Sequence, residues 1–337
     1  MTITRRTSWW AWAVVLVLWL ATMAALSGPL FPFTPQPSGL DLAQVPDLDL
    51  YLRQREAQHP NVRPDLAKTI LWNDPGSRAA TALSLVYIHG FSASRKDISP
   101  VVETLASRLR ANAFFTRLAA HGSTSGAEFA TVRAQDWLDD AREALAIGRR
   151  IGERVILIGT STGALLATMA ALEDNSPRVA ALVLLSPNFG IRDWRAKFIS
   201  GPLGRVLAQI IIGGEHSFRP DSRGHAEFWS SRYPSQAIVA LMDLVNYGRA
   251  LHLDNLKVPT LIIYTDKDTV IDTKAIQDRF DEITGSPKLL VDLPEASRHE
   301  LTGDALAPDT VRPVLRQIMS FLADSGVIGP TSADGSH

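Results

Sequence analysis

Apolar residues in this chain fall into two patterns that alternate along its length. Short, nearly continuous runs of β-forming residues occur at Leu83–Ile88, Phe114–Leu118, Arg154–Ile158, Ala181–Leu185, Thr260–Tyr264 and Leu289–Leu293, with a weaker one at Thr69–Trp72. Continuous apolar runs of this length fit strands buried on both faces. Between them, Pro100–Asn112, Ala134–Ile151, Gly163–Leu172 and Thr273–Thr284 place apolar residues every three or four positions, the period of a helix. Gly152 ends the second of these helices, and Asn175 with Pro177 ends the third. Strand and helix in alternation predict an α/β class: a mostly parallel sheet with helices on both faces.

The alternation breaks between Asn188 and His252, where about sixty-five residues intervene before the next strand. A connection of that length is functional or a small domain of its own. Within it, Leu203, Val206, Leu207, Ile210 and Ile211 form one apolar stripe at helical spacing, and Ser235–Leu251 is a second helical stretch. The insertion reads as a helical cap over the carboxyl ends of the strands, where open α/β sheets bind ligands. Its aromatic residues (Trp194, Phe198, Phe218, Phe228, Trp229 and Tyr233) fit either an apolar substrate pocket or the cap's own core.

The amino terminus follows neither pattern. Arg5 and Arg6 precede Trp9 to Leu26, eighteen residues without a charge. As a helix this run rises about 27 Å, close to a hydrocarbon core. It predicts a single-pass membrane anchor with the catalytic body outside the cytoplasm. A cleaved signal, ending at Ala25-Leu26-Ser27 and leaving a secreted or periplasmic protein, is the alternative. Five prolines between Gly28 and Asp49 (Pro29, Pro32, Pro35, Pro37 and Pro46) then suggest an extended tether. The expected organisation is an anchor or signal at 1–27, a tether at 28–65 and a first core part at 66–187. A cap at 188–252, a second core part at 253–325 and a flexible tail at 326–337 complete it.

Composition narrows the chemistry. The 337 residues are 46% hydrophobic and carry a net charge of −1, with no basic stripe of the kind nucleic acid requires. There are no cysteines, which excludes disulfides, thiolate metal sites and cysteine nucleophiles. His299-Glu300 lacks the second histidine four residues on that a zinc-protease helix needs. Neither a metal nor an organic cofactor is expected.

Against that background stands Gly159-Thr160-Ser161-Thr162-Gly163, between the apolar run Val155–Ile158 and the small-residue run Ala164–Ala167. The pattern reads as strand, sharp turn and helix with a serine at the apex. Flanking glycines remove the Cβ atoms that would clash there, and the helix aims its N-terminal amides at developing negative charge. An ordinary β–α turn of small residues would look the same, so the rest of the chain must supply the partners. A serine nucleophile needs a base, and the base an acid, in the chain order Ser, Asp or Glu, His. Ser161 follows one predicted strand, Asp266 and Asp268 follow another, and His299 follows the last.

With Tyr87-Ile88-His89-Gly90-Phe91, the Ser161 turn, the strand at Val258–Ile263, and His299, the chain resembles the α/β-hydrolase superfamily. It is most similar to the capped carboxylesterase and monoacylglycerol-lipase-like branch of serine-aminopeptidase type. The resemblance runs from about Leu83 to Leu322 and includes Trp137 and Asp140. It implies an α/β-hydrolase fold with Ser161 as nucleophile, His299 as general base and Asp268, rather than Asp266, as acid. The oxyanion hole would use the backbone amides of Phe91 and Thr162. Two departures stand out: Phe91 and Ser92 follow His89-Gly90 where many relatives have a second glycine, and Ala119-Ala120-His121-Gly122 lacks the first glycine of a Gly-His-Gly turn. His89 and His121 accordingly read as supports of their loops. The expected activity is hydrolysis of apolar carboxylic esters, with amide or peptide hydrolysis, or a non-catalytic binding protein of this fold, as rivals.

Overall fold

A computed structural model describes residues 9–26, 33–123, 126–174, 177–199 and 201–329. Arg5 and Arg6, Ser27, Pro29 and Pro32, Asn175 and the tail from residue 330 onward lie outside the described residues. In chain order the first elements are α1 (Trp9–Leu26), α2 (Leu48–Glu56), β1 (Thr69–Leu71), β2 (Thr81–Ile88), α3 (Val101–Leu109) and β3 (Asn112–Phe115). Next come α4 (Ala134–Ile151), β4 (Gly152–Thr160), α5 (Thr162–Asp174) and β5 (Val179–Leu185). The insertion contributes α6 (Gly201–Ile211), β6 (Glu215–Ser217), α7 (Arg223–Phe228), β7 (Arg232–Pro234) and α8 (Gln236–Arg249). The chain returns through β8 (Thr260–Tyr264), α9 (Thr273–Glu282), β9 (Lys288–Asp292) and α10 (Val311–Asp324).

Among the described residues, seven strands form one sheet in the order β1-β3-β2-β4-β5-β8-β9. Only β1 runs antiparallel, against β3, and every other pairing is parallel. Two packed faces explain the continuous apolar runs of the inner strands, whereas the run expected at Leu289–Leu293 forms the half-exposed edge strand β9. Val155 and Leu157 point into the layer containing α4, α5 and α8, while Ile156 and Ile158 point into the layer containing α3 and α10. The α3 helix stops three residues short of the predicted end because Asn112 belongs to the sheet. Its side-chain amide donates to the carbonyls of Ala79 and Ile151, each at 2.8 Å, and Arg110 turns the chain with φ 49°.

The amino-terminal region departs from expectation in its tether. The α1 helix forms where the uncharged run predicts it. Among the described residues, however, no helix is long and apolar enough to cross a membrane. Nor is the stretch from Phe33 an extended tether. Leu42, Leu48 and Leu52 are buried in the core that α4 also enters. Arg150 donates to the carbonyl of Val45 at 2.9 Å, Arg117 binds both carboxylate oxygens of Glu56, and the Phe33 ring packs edge-on against Tyr247. Prolines keep the chain ahead of α2 out of a helix, but they do not prevent the strap and α2 from docking their leucines.

The insertion is a helical cap with a two-stranded ribbon, β6 and β7. Part of the apolar stripe expected on its first helix faces outward, and Leu207 is half-buried. Val206, Ile210 and Ile211 are exposed, and Ala208 and Gly204 are buried instead. A Cβ on Gly204 would meet Val239 of α8 at 3.2 Å, so small residues set the close approach of α6 and α8.

Candidate active site

The turn between β4 and α5 holds Ser161 with φ 53°, a left-handed backbone that costs an ordinary residue on the order of 1 kcal/mol. The neighbouring glycines explain why the turn can close. A Cβ on Gly159 would sit 2.5 Å from the Gly163 carbonyl oxygen. One on Gly163 would sit 2.1 Å from the Ile88 carbonyl oxygen. The Ser161 amide donates to the Leu185 carbonyl at 2.8 Å, which fastens the apex to β5.

His299 lies in the loop after β9. Ser186 donates its hydroxyl to the His299 carbonyl at 3.1 Å and so fixes the backbone beneath the ring. Asp268 lies in the loop after β8 and is 1% exposed. Its Oδ1 accepts the amides of Val270 and Ile271 at 2.8 and 3.1 Å, and Arg192 donates to its carbonyl at 2.9 Å. The remaining oxygen, Oδ2, faces His299 Nδ1 at 2.7 Å. His299 Nε2 faces Ser161 Oγ at 2.8 Å.

The protons in this line are assigned by its ends. A carboxylate only accepts, so His299 Nδ1 carries the hydrogen and Nε2 is left to accept from the serine hydroxyl. Burial opposes charge on Asp268, but the hydrogen bond to His299 and the two backbone amides outweigh it and hold its pKa below the ordinary carboxylate value. Burial likewise opposes charge on His299. The Asp268 carboxylate outweighs it, and the imidazole pKa is raised above 6.5. Asp266 is exposed, and its amide is tied to Asp292. The structure therefore brings Ser161, Asp268 and His299 together and leaves Asp266 out.

Thr162 opens α5 directly after Ser161, where orphan helix amides collect. Phe91 lies in the loop after β2, beside the turn: a Cβ on Gly90 would stand 3.4 Å from that of Ser161. Neither the Phe91 nor the Thr162 amide donates to a protein acceptor among the described residues. The cap is fastened to both rims of the site. Ser230 N–H donates to the Ser92 carbonyl at 2.7 Å, and Ser222 donates to the Ala305 carbonyl at 2.9 Å. Ser161 is consequently only 8% exposed. Of the cap's aromatic residues, Trp229 and Tyr233 are buried, Tyr233 packs edge-on against Phe91 at 5.1 Å, and Trp194 is exposed.

Several positioning groups were invisible in the sequence. Asp97 is buried, takes the Gly90 amide at 3.1 Å and binds the Tyr87 hydroxyl. Burial pushes its carboxyl up to about 7. Ser186 and Arg192 also sit in loops without a recognisable pattern, and only the fold brings them to the site. Trp137 and Asp140, by contrast, meet at one point: Trp137 Nε1 donates to the Ala119 carbonyl and Asp140 accepts the Ala119 amide. A cavity of about 390 Å³ lined by His59, Arg117 and His121 opens behind that loop and reaches neither Ser161 nor His299. Among the described residues, no group of three histidine, aspartate or glutamate side chains is arranged to hold a metal.

Residues 80–305 match a family described as serine aminopeptidase, S33, and this interval contains the whole hydrogen-bonded line. The chain belongs to that family. It has the α/β-hydrolase fold. No curated protein sequence matches it. Among solved structures, one reported for the metagenome-derived lipolytic enzymes LipS and LipT superposes with a TM-score of 0.64 at 19% identity, covering 78% of this chain and 99% of that one. A monoacylglycerol lipase of Paleococcus ferrophilus gives 0.56 at 15% identity, over 77% and 99% of the two chains. A soluble variant of the Saccharomyces cerevisiae monoglyceride lipase, bound to a substrate analogue, gives 0.57 at 15% identity, over 77% and 91%. At these identities the likeness is one of fold.

Proposed function

We propose that this protein is a serine hydrolase that cleaves carboxylic esters through an acyl-enzyme on Ser161. The observation that carries the reading is the continuous line Asp268 Oδ2–His299 Nδ1 and His299 Nε2–Ser161 Oγ, at 2.7 and 2.8 Å. His299 takes the Ser161 hydroxyl proton as Oγ bonds to the ester carbonyl carbon. The negative charge that develops on the carbonyl oxygen is met by the amides of Phe91 and Thr162. The bond to the leaving alcohol then breaks and His299 returns its proton to that oxygen. Water attacks the acyl-enzyme by the same route and restores Ser161. Asp268 holds the imidazole tautomer and stabilises the imidazolium without itself taking the proton.

An apolar acyl or alcohol group suits a site under a cap whose Tyr233 ring packs on Phe91 of the loop beside Ser161. Amide hydrolysis on the same three residues is the second reading, and the family's description favours it. Matched ester and amide substrates separate the two by their relative kcat/KM. A binding protein of this fold would need no aligned nucleophile, base and acid. Labelling by a fluorophosphonate probe decides that point. Wild-type protein is expected to label and Ser161→Ala is not, whereas an unlabelled folded wild type would favour binding over catalysis.

Localisation is a separate proposal that rests on Arg5 and Arg6 ahead of the uncharged run Trp9–Leu26. We place the catalytic body outside the cytoplasm, with the run retained at the membrane. Retention in the pellet after carbonate extraction is expected, and release would point to a cleaved signal.

A further inference from the structure

The loop Gly90–Ser92 presents three successive backbone amides beside Ser161, and two of them are occupied. Gly90 N–H donates to Asp97 Oδ2 at 3.1 Å, and Ser92 N–H donates to His121 Nε2 at 2.9 Å. Phe91 N–H, between them, has no protein acceptor among the described residues. The two acceptors reach the loop from different directions. Asp97 comes from the chain just downstream, braced by Tyr87, while His121 comes from the connection between β3 and α4.

The His121 tautomer is fixed by its partners. Nδ1 faces the Ala119 carbonyl at 3.0 Å, and a carbonyl can only accept. Nδ1 therefore carries the proton, and Nε2 offers its lone pair to Ser92. Burial supports the neutral ring by pushing its pKa well below 6.5. The ring is packed edge-on by Phe91, Phe129 and Trp137 at 4.7–5.9 Å between centroids. Ala119 is itself anchored, because Asp140 takes its amide at 2.6 Å and Lys68 pairs with Asp140 at 2.7 Å. His121 thus has one position and one lone pair, both set by the fold.

Ser92 needs such a partner. Its φ of 61° is the left-handed backbone that glycine adopts freely and other residues adopt at a cost. If the Ser92 N–H were released, the loop could relax and rotate the neighbouring peptide that ends in the Phe91 amide.

We propose that His121 is a positioning residue for the oxyanion loop: its Nε2 accepts the Ser92 amide and, with Asp97 holding the Gly90 amide, leaves Phe91 N–H as the loop donor available to a developing oxyanion. The proposal rests on the acyl-enzyme reading of Ser161. It assigns His121 no proton transfer and no contact with substrate.

The test compares wild type, His121→Leu and His121→Gln on a p-nitrophenyl ester, together with inhibition by a trifluoromethyl ketone that forms an oxyanion on Ser161. Removing one oxyanion donor costs about 10²–10³ in kcat. His121→Leu fills the space without an acceptor and is expected to lose up to about that factor in kcat and in trifluoromethyl ketone affinity, with KM within about twofold. His121→Gln offers a side-chain carbonyl and is expected to recover at least about tenfold. A Leu variant with unchanged kcat, or a Gln variant no better than Leu, overturns the assignment. Should the Leu variant not fold, ¹⁵N NMR of wild-type histidines decides: a bare Nε2 on His121 supports the proposal and a protonated one overturns it. Turnover that requires Ser161 but ignores His121 defeats this inference alone. Turnover that does not require Ser161 defeats the acyl-enzyme reading, and this inference with it.

Discussion

The sheet and the cap treat the same apolar residues in opposite ways. In β4 and β5, Val155–Ile158 and Ala181–Leu185 are fully or almost fully buried, each side chain inside one of two packed layers. In α6, Val206 is 54% and Ile210 is 73% exposed, while Ala208 is buried and Gly204 closely approaches Val239 of α8. An apolar stripe marks a candidate face for burial, but the closest packing goes wherever small residues let two backbones approach. Function is distributed along the same division. Ser161 and Asp268 follow the buried strands β4 and β8, and His299 follows the half-exposed edge strand β9, so the sheet layer fixes their separations. The cap touches this layer at its rims, through Ser230, Ser222 and Tyr233, and supplies cover rather than reacting groups.

The largest expected effect tests whether chemistry belongs to the sheet side alone. Ser161→Ala should lower kcat for ester hydrolysis by about 10⁴-fold or more. The melting temperature should stay nearly unchanged, because alanine keeps the same backbone and loses only the hydrogen bond of Oγ to His299. Ester turnover that survives the substitution would move the nucleophile elsewhere. Next, Asp268→Asn should cost about 10³–10⁴ in kcat, since the wrong tautomer of His299 becomes favoured. Asp266→Asn should change it less than about threefold, and kinetics showing the reverse order would reassign the acid.

Packing is the third contrast. Leu157→Ala in the sheet should destabilise by about 2–5 kcal/mol in urea unfolding. Ile210→Ser on the cap should stay within about 0.5 kcal/mol. Equal losses would mean that α6 buries its stripe in solution. The smallest effect per step is that of pH. His299 must be neutral to accept the serine proton, and its pKa is raised above 6.5. Turnover should therefore fall about tenfold per pH unit below that raised value. The same raised pKa makes the protonated ring stabilising, a contribution present below 6.5 and lost as pH rises through the folded value. Asp268 is displaced downward, so its contribution is present above the unfolded carboxylate value and lost as pH falls through the folded one. Activity and His299-linked stability should thus move in opposite directions near neutrality. A rate profile flat from pH 5 to 8 would contradict this assignment.

What the sequence alone determined is what repeats locally. Continuous apolar runs set the inner strands buried on both faces, helical spacing set α4 and α9 at their N-termini, and two glycines set the turn at Ser161. The order of serine, aspartate and histidine beyond three strands was also readable, because each follows its strand by a short loop. Tertiary structure decided whatever depends on residues distant in the chain meeting. It docked Leu42, Leu48 and Leu52 where prolines suggested a tether, and it turned α6 by its small residues rather than its large ones. It also separated Asp268 from Asp266, two positions apart, because only one carboxylate is buried with two amides and a histidine around it. Asp97 and His121 on either side of Phe91 follow the same logic. A hydrogen bond between segments separated in sequence leaves no periodic trace, and it is chosen by the fold that brings donor and acceptor within 3 Å or so of each other.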